Sequence, residues 1–312
     1  MTSSRFSGYL LTLTAATCWG LLGPMARVAL ADGVSALEVA FWRATVGGAL
    51  FALHVALLAA RRSARPSPAR RRLRLQRADI PAVIGFGVIG VALFYGSYQL
   101  AVESGGAALA SVLLYTAPAW VAGMGAAFLS EPLTRHKVGA VALTLAGVTA
   151  IAMGGTAGVT LTTVGILWGL LSGFLYASYY PFGKHYFQRY VPAAIFAVAL
   201  PIGAIVLLPW IDFAPKSSAA WLALTAIAFI STYGAYLAYG AALQRLAASR
   251  ASIVATLEPV VAAVVATLWW NEDLGVWGYV GAAMIVVATL LAAMERERTP
   301  TPPADSITEN VA

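Results

Sequence analysis

The chain has 312 residues, of which 60% are hydrophobic and only 11% charged, with a net charge of +7 and a mean hydropathy of +0.78. Soluble domains carry about 25% charged residues, so there is too little polar surface here to cover a globule in water, and lipid is the solvent that fits. The Lys and Arg residues form no groove-like patch with interleaved aromatics, which argues against nucleic acid, and the single cysteine, Cys18, excludes an internal disulfide and a cysteine-built metal site.

A spanning helix needs about 20 mostly apolar residues. Ten such stretches are expected, over 6–30, 36–60, 79–102, 106–129, 137–154, 162–184, 191–211, 218–243, 248–270 and 275–294. Ala29-Leu30-Ala31 has the look of a signal-peptide cleavage site. The apolar run before it is too long for a typical signal core and contains Gly20, Gly23 and Pro24, so it reads as a retained helix. Between the second and third stretches, 61–77 carries eight arginines with Pro66 and Pro68 and reads as a solvated basic loop. The remaining connections are short. The tail over 295–312 is rich in Pro, Thr and acidic residues and is expected to be disordered.

Basic residues set the orientation. With the N-terminus in the cytoplasm, the cytoplasmic segments hold Arg5, the eight arginines from Arg61 to Arg77, Arg135, Lys137, Lys184, Arg189, Arg245, Arg250, Arg296 and Arg298. Only Arg27, Arg43 and Lys216 fall elsewhere. This bias predicts a multi-pass protein of the plasma (inner) membrane with both termini cytoplasmic.

The sequence also repeats itself. A displacement of 141 brings Tyr95 onto Tyr236, Tyr98 onto Tyr239, Ser111 onto Ser252, Pro118 onto Pro259 and Glu131 onto Glu272. A displacement of 157 brings Trp19 onto Tyr176 and Pro24 onto Pro181. The unit is five helices, 6–154 and then 162–294. Five is odd, so the second copy should enter the membrane from the opposite side, as an inverted-topology repeat. Two halves that can exchange roles have the geometry of alternating access, which points to carriage of a solute.

Several short motifs follow in a fixed order. They are Ala16-Thr17-Cys18-Trp19-Gly20, Phe41-Trp42-Arg43, Ala117-Pro118 with Ser130-Glu131-Pro132-Leu133, and Leu257-Glu258-Pro259-Val260 with Asn271-Glu272-Asp273-Leu274 and Gly281-Ala282. Together they resemble an EamA-type transporter of the drug/metabolite transporter superfamily, over nearly all of 6–294. The resemblance implies an all-α membrane fold of ten helices with a central cavity lined by both halves. It also implies export or exchange of small metabolites, amino acids being the commonest class. The second copy departs from the first, with Tyr176 in place of the Trp and Val198 near the Arg position.

Glu258 is the foremost site residue. It lies near mid-depth beside Pro259, where an ionised carboxylate costs a few kcal/mol on insertion scales, so burial favours its protonated form and it could take a proton or a substrate amine. Arg43 lies a third of the way into the second helix, where it could hold a substrate carboxylate, pair with an acid, or snorkel outward. Tyr95 and Tyr98 share a helix face, and Tyr236 and Tyr239 repeat that face. With Tyr176, Tyr179, Tyr180 and Tyr233 they suggest a cavity lined by rings and hydroxyls. Trp19, Gln99 and Trp168 join the expected substrate-binding set. Gly165, Gly169 and Gly173 recur every four residues and permit close helix contact, inside the chain or between subunits. A monomer and a homodimer both fit. Glu131 and Glu272 should order turns or helix starts, where a carboxylate suits the positive end of a helix.

No phosphate-binding Gly-rich Lys motif, zinc-protease motif or nucleophile elbow is present, and His54, His136 and His185 lack ligand spacing. No cofactor is expected. A membrane enzyme would need catalytic residues clustered at one interface, and a sensor or assembly factor would need a soluble domain. Neither is visible, so a secondary carrier is the leading reading.

Overall fold

The computed structural model describes residues 3–63, 72–154, 162–270 and 275–294. The tail from 295, residues 64–71 of the basic loop, and Glu272 with its motif lie outside the described residues. The described residues form long helices and no strand, apart from an isolated bridge between Arg72 and Tyr190.

Ten helical rods follow in chain order: α1 Ser4–Ala31, α2 Ala36–Arg61, α3 Arg77–Gly106, α4 Leu109–Phe128, α5 Arg135–Gly154, α6 Thr163–Arg189, α7 Pro192–Trp210, α8 Ser218–Leu243, α9 Ala248–Trp269 and α10 Gly275–Met294. All but α6 are long and apolar enough to cross a membrane. Helix α6 runs 27 residues, past Lys184 to Arg189, and so rises about 40 Å. Large apolar side chains such as Leu53, Phe128, Leu222, Leu268 and Leu290 face outward. In water that surface would be a liability, and against lipid it is the expected exterior. Gly106 makes the sharp turn between α3 and α4 with φ +83°, a conformation other residues rarely adopt.

Four interruptions recur at the same displacement as the sequence repeat. Helix α4 breaks at Tyr115-Thr116 and α9 at Thr256-Leu257, 141 positions on. Pro118 and Pro259 each sit second in the segment that resumes, where a missing N–H costs no helical hydrogen bond. Helices α3 and α8 each carry a wide π-helical stretch, Val88–Leu93 and Ile227–Gly234. Such stretches are frequent at functional sites.

The packing pairs each helix with its repeat mate or with symmetric partners. Helices α2 and α7 run antiparallel. Phe51 meets Phe196 at 5.1 Å, Glu38 at one end accepts from the Ala214 amide, and Arg72 beyond the other end bridges Tyr190. Helices α5 and α10 also run antiparallel, with Gly147 against Gly281 and Gly154 against Gly275. In α4 and α9 the end of one meets the start of the other, where Glu131 accepts from the amides of Ala248 (2.7 Å) and Ser249 (3.2 Å). Glu131 therefore caps a helix of the other half, where the partial positive charge of the first turn suits it. Helix α1 lies on α8 and α9 as α6 lies on α3 and α4, and α2 touches α8 as α7 touches α3. The glycine stripe of α6 packs inside the chain, with Gly169 against Leu113 and Gly173 against Thr116.

Candidate functional site: an aromatic centre between the two halves

The wide turns of α3 and α8 lead directly into Tyr95 and Tyr236, mates in the repeat. Their hydroxyls share a hydrogen bond of 3.2 Å, so the two halves meet there through equivalent residues. Arg43 of α2 lies alongside. Its guanidinium stands 4.9 Å from the Tyr95 ring centre, and its Nε donates to Thr232 Oγ1 at 3.2 Å. A cation over an aromatic face, with a hydroxyl acceptor, is stable away from bulk water.

Glu258 opens the second segment of α9. A carboxylate there faces the positive end of the new helix. Tyr115, at the matching break in α4, lies within hydrogen-bonding reach of Glu258, and Arg43 supplies the nearby positive charge. Gly20 lets α1 close onto this point, since a Cβ there would lie 2.8 Å from the Glu258 carbonyl oxygen.

The remaining rings enclose this core. Trp19 lies 6.0 Å from Tyr236 and 5.0 Å from Tyr239. Tyr179 packs between the same two tyrosines, at 6.0 and 5.6 Å. It is buried, and its hydroxyl has no hydrogen-bond partner among the described residues. Tyr176 stacks on Phe94 at 5.2 Å and meets Tyr180 edge-on at 5.8 Å, while the Tyr98 hydroxyl bonds Ser111 Oγ at 3.3 Å. A crevice of about 180 Å³ between Tyr115, Pro118, Tyr176, Tyr180, Ser252, Ala255 and Thr256 is too narrow to admit a water molecule.

Trp19, Arg43, Tyr95, Tyr98, Tyr176, Tyr179, Tyr236, Tyr239 and Glu258 thus converge, drawn from six helices. Gln99 and Trp168 do not join them. Gln99 donates to Glu103 one turn along, on an exposed face, and Trp168 has no ring partner among the described residues. Tyr115 and Thr232 belong to the centre without having been singled out in the sequence. The available signals were a hydroxyl three residues before a repeated proline and one a single turn before a repeated tyrosine.

Contacts join the first and second halves at both ends of α2. At the start of α2, Glu38 pairs with Lys216 and accepts from Trp42 Nε1 (3.1 Å) and the Ala214 amide (3.1 Å). Nearby, Asp32 accepts from the Ser217 amide at 2.8 Å. Beyond the other end of α2, the Arg72 amide donates to the Arg189 carbonyl (3.0 Å) and the Val191 amide to the Arg72 carbonyl (3.1 Å). The Tyr190 hydroxyl donates to Asp79 at 2.5 Å and accepts from the Gln76 amide at 3.1 Å.

Residues 6–153 and 163–294 each match the EamA-like transporter family. The chain belongs to that family. This EamA-like transporter is 26% identical to an uncharacterised transporter of Archaeoglobus fulgidus, over 90% of its own length and 96% of that protein's. It is 27% identical to a probable terminal-alkyne amino-acid exporter of Streptantibioticus cattleyicolor, over 90% of its length and 91% of that protein's. A protein of known crystal structure, 19% identical, superposes with a TM-score of 0.76 over 92% of this chain and 96% of its own, which establishes a shared fold.

Proposed function

We propose that this EamA-like transporter is a ten-span secondary carrier of the plasma (inner) membrane, with both termini cytoplasmic, that exports small metabolites, amino acids among them, by alternating access. The observation that carries the reading is the Tyr95–Tyr236 hydrogen bond with Arg43 and Glu258 beside it. It joins mated residues of the two repeats and sets a cation and a carboxylate at one point. An amino acid carries the complementary pair, a carboxylate for Arg43 and an ammonium for Glu258. The Tyr179 hydroxyl, without a hydrogen-bond partner among the described residues, and the surrounding rings suit the rest of such a solute.

The antiparallel course of three mated helix pairs supports inverted repeats over 6–154 and 162–294. The gathering of Arg and Lys on one side supports the orientation. Ligand pockets run about 300–1,000 Å³, so the centre must widen to hold a solute. Opening alternately at the two ends, with the mated halves exchanging roles, would load it from one side and empty it to the other. Glu258 is the group to couple this to protons, since substrate ammonium and proton compete for one carboxylate.

The test is counterflow in proteoliposomes loaded with a panel of amino acids, nucleosides and organic cations. Exchange of one class is expected. Glu258→Gln should abolish acceleration by a pH gradient by at least tenfold. Folded protein that exchanges nothing across the panel would end the carrier reading, and a Glu258→Gln variant still driven by the gradient would end the coupling role.

A further inference from the structure

The Glu38 end is built differently from a simple helix cap. Glu38 is shielded from water, and Lys216 reaches it from the other half with little exposure of its own. The Lys216 ammonium lies 5.4 Å from the Trp221 ring centre, 5.6 Å from Trp42 and 5.8 Å from Phe213, and it donates to the Ala214 carbonyl at 2.7 Å. Three aromatic faces, a carboxylate and a carbonyl around one nitrogen form a receptor for an ammonium group. The chain fills that receptor with its own side chain.

We infer that the Glu38–Lys216 pair is the lock of this end, and that its socket is a binding site for a primary alkylammonium. The lock rests on the carrier reading, because closing an end matters only if ends open. The socket does not depend on that reading. Glu38 and Trp42 stand on α2 of the first half, while Phe213, Lys216 and Trp221 come from the α7–α8 region of the second half. Lys216 therefore ties the halves together only while its ammonium is seated. An amine-bearing solute arriving at this end offers the same chemical group. Held between Glu38 and Trp42 of the first half and Phe213 and Trp221 of the second, a seated amine keeps this end closed, whether it is that of Lys216 or of a solute.

A reporter lies close by. Ala29 of α1 is fully buried in the apolar cluster with Ala220 and Leu224 of α8, which seals the same end. In a Cys18→Ser, Ala29→Cys parent, the rate of maleimide labelling in micelles reads opening of this end. Lys216→Ala should raise that rate about tenfold. Propylammonium, which replaces the atoms removed, should restore the slow rate saturably. The double variant Glu38→Gln, Lys216→Ala should label fast and ignore propylammonium. A Lys216→Ala rate equal to the parent's would overturn the lock. Absent rescue, or equal rescue in the double variant, would overturn the socket. Lys216→Met, which keeps the apolar stem, serves if the alanine variant does not fold. Rescue without any solute exchange in liposomes would leave the socket standing and remove the carrier reading alone.

Discussion

The two ends of the molecule join the same two halves by different chemistry. At the Glu38 end the join is an ion pair drawn out of water among aromatic rings. At the arginine-rich end it is main chain on main chain, Arg72 with Arg189 and Val191, backed by the Tyr190–Asp79 hydrogen bond and an Arg189 that is 53% exposed. The repeat relates the helices but not these joins. Leu75 stands 141 positions before Lys216, and Ala193 to Ile195 occupy the place equivalent to Glu38. Duplication therefore supplied the scaffold and left each end to acquire its own closure. A buried charge pair gives an all-or-none join, because one partner without the other is heavily penalised. A backbone bridge with a part-exposed polar cluster gives way in smaller steps.

The largest effect that would test this contrast is on stability. Removing one partner of a buried ion pair costs about 3–5 kcal/mol, and a pair this near the end of a helix should fall at the lower bound, about 3 kcal/mol. Glu38→Gln is expected to show that loss in reversible unfolding in micelles, whereas a loss below about 1 kcal/mol would mean water already reaches the pair. At the other end Asp79→Asn keeps an acceptor for Tyr190 and leaves both backbone hydrogen bonds intact. It should cost about 1 kcal/mol, the scale of one hydrogen bond. Equal losses at the two ends would erase the distinction.

The contrast also marks how far the sequence can be read. Nine apolar helices of membrane length among the described residues were legible because lipid demands about 20 apolar residues in a row, and the sixth expected stretch is also helical but runs on to Arg189. The halves were legible because scarce residues, Tyr95 and Tyr236 or Pro118 and Pro259, recur at one displacement. Glu258 and the paired tyrosines were legible because polar atoms at mid-depth need a reason. Faces were harder to read. Gln99 follows Tyr98, yet one step turns about 100° round the helix, and that turn carries it out of the centre. Contacts across the chain were harder still. Lys216 stood out only as a basic residue on the wrong side, and nothing local tied it to Glu38. Likewise Arg43 finds Thr232 only after the chain has folded.

The smallest effect concerns Asp32, which shares the Glu38 end without being shielded. Hydrogen bonds from the Ser217 side chain and amide hold its carboxyl below the usual aspartate value. A lowered value in the folded chain gives a contribution present above the ordinary value of about 3.9 and lost only as pH falls through the lower folded one. Between pH 5 and pH 8 Asp32 should therefore stay ionised, and this end should not loosen on its account. The check is unfolding of the wild type and Asp32→Asn at pH 8 and pH 5, where the small gap between them should be the same at both. A gap that closes as pH falls toward 5 would make Asp32 the titrating element there. The end would then be held by an exposed titrating group, and the shielded pair would no longer set the two ends apart.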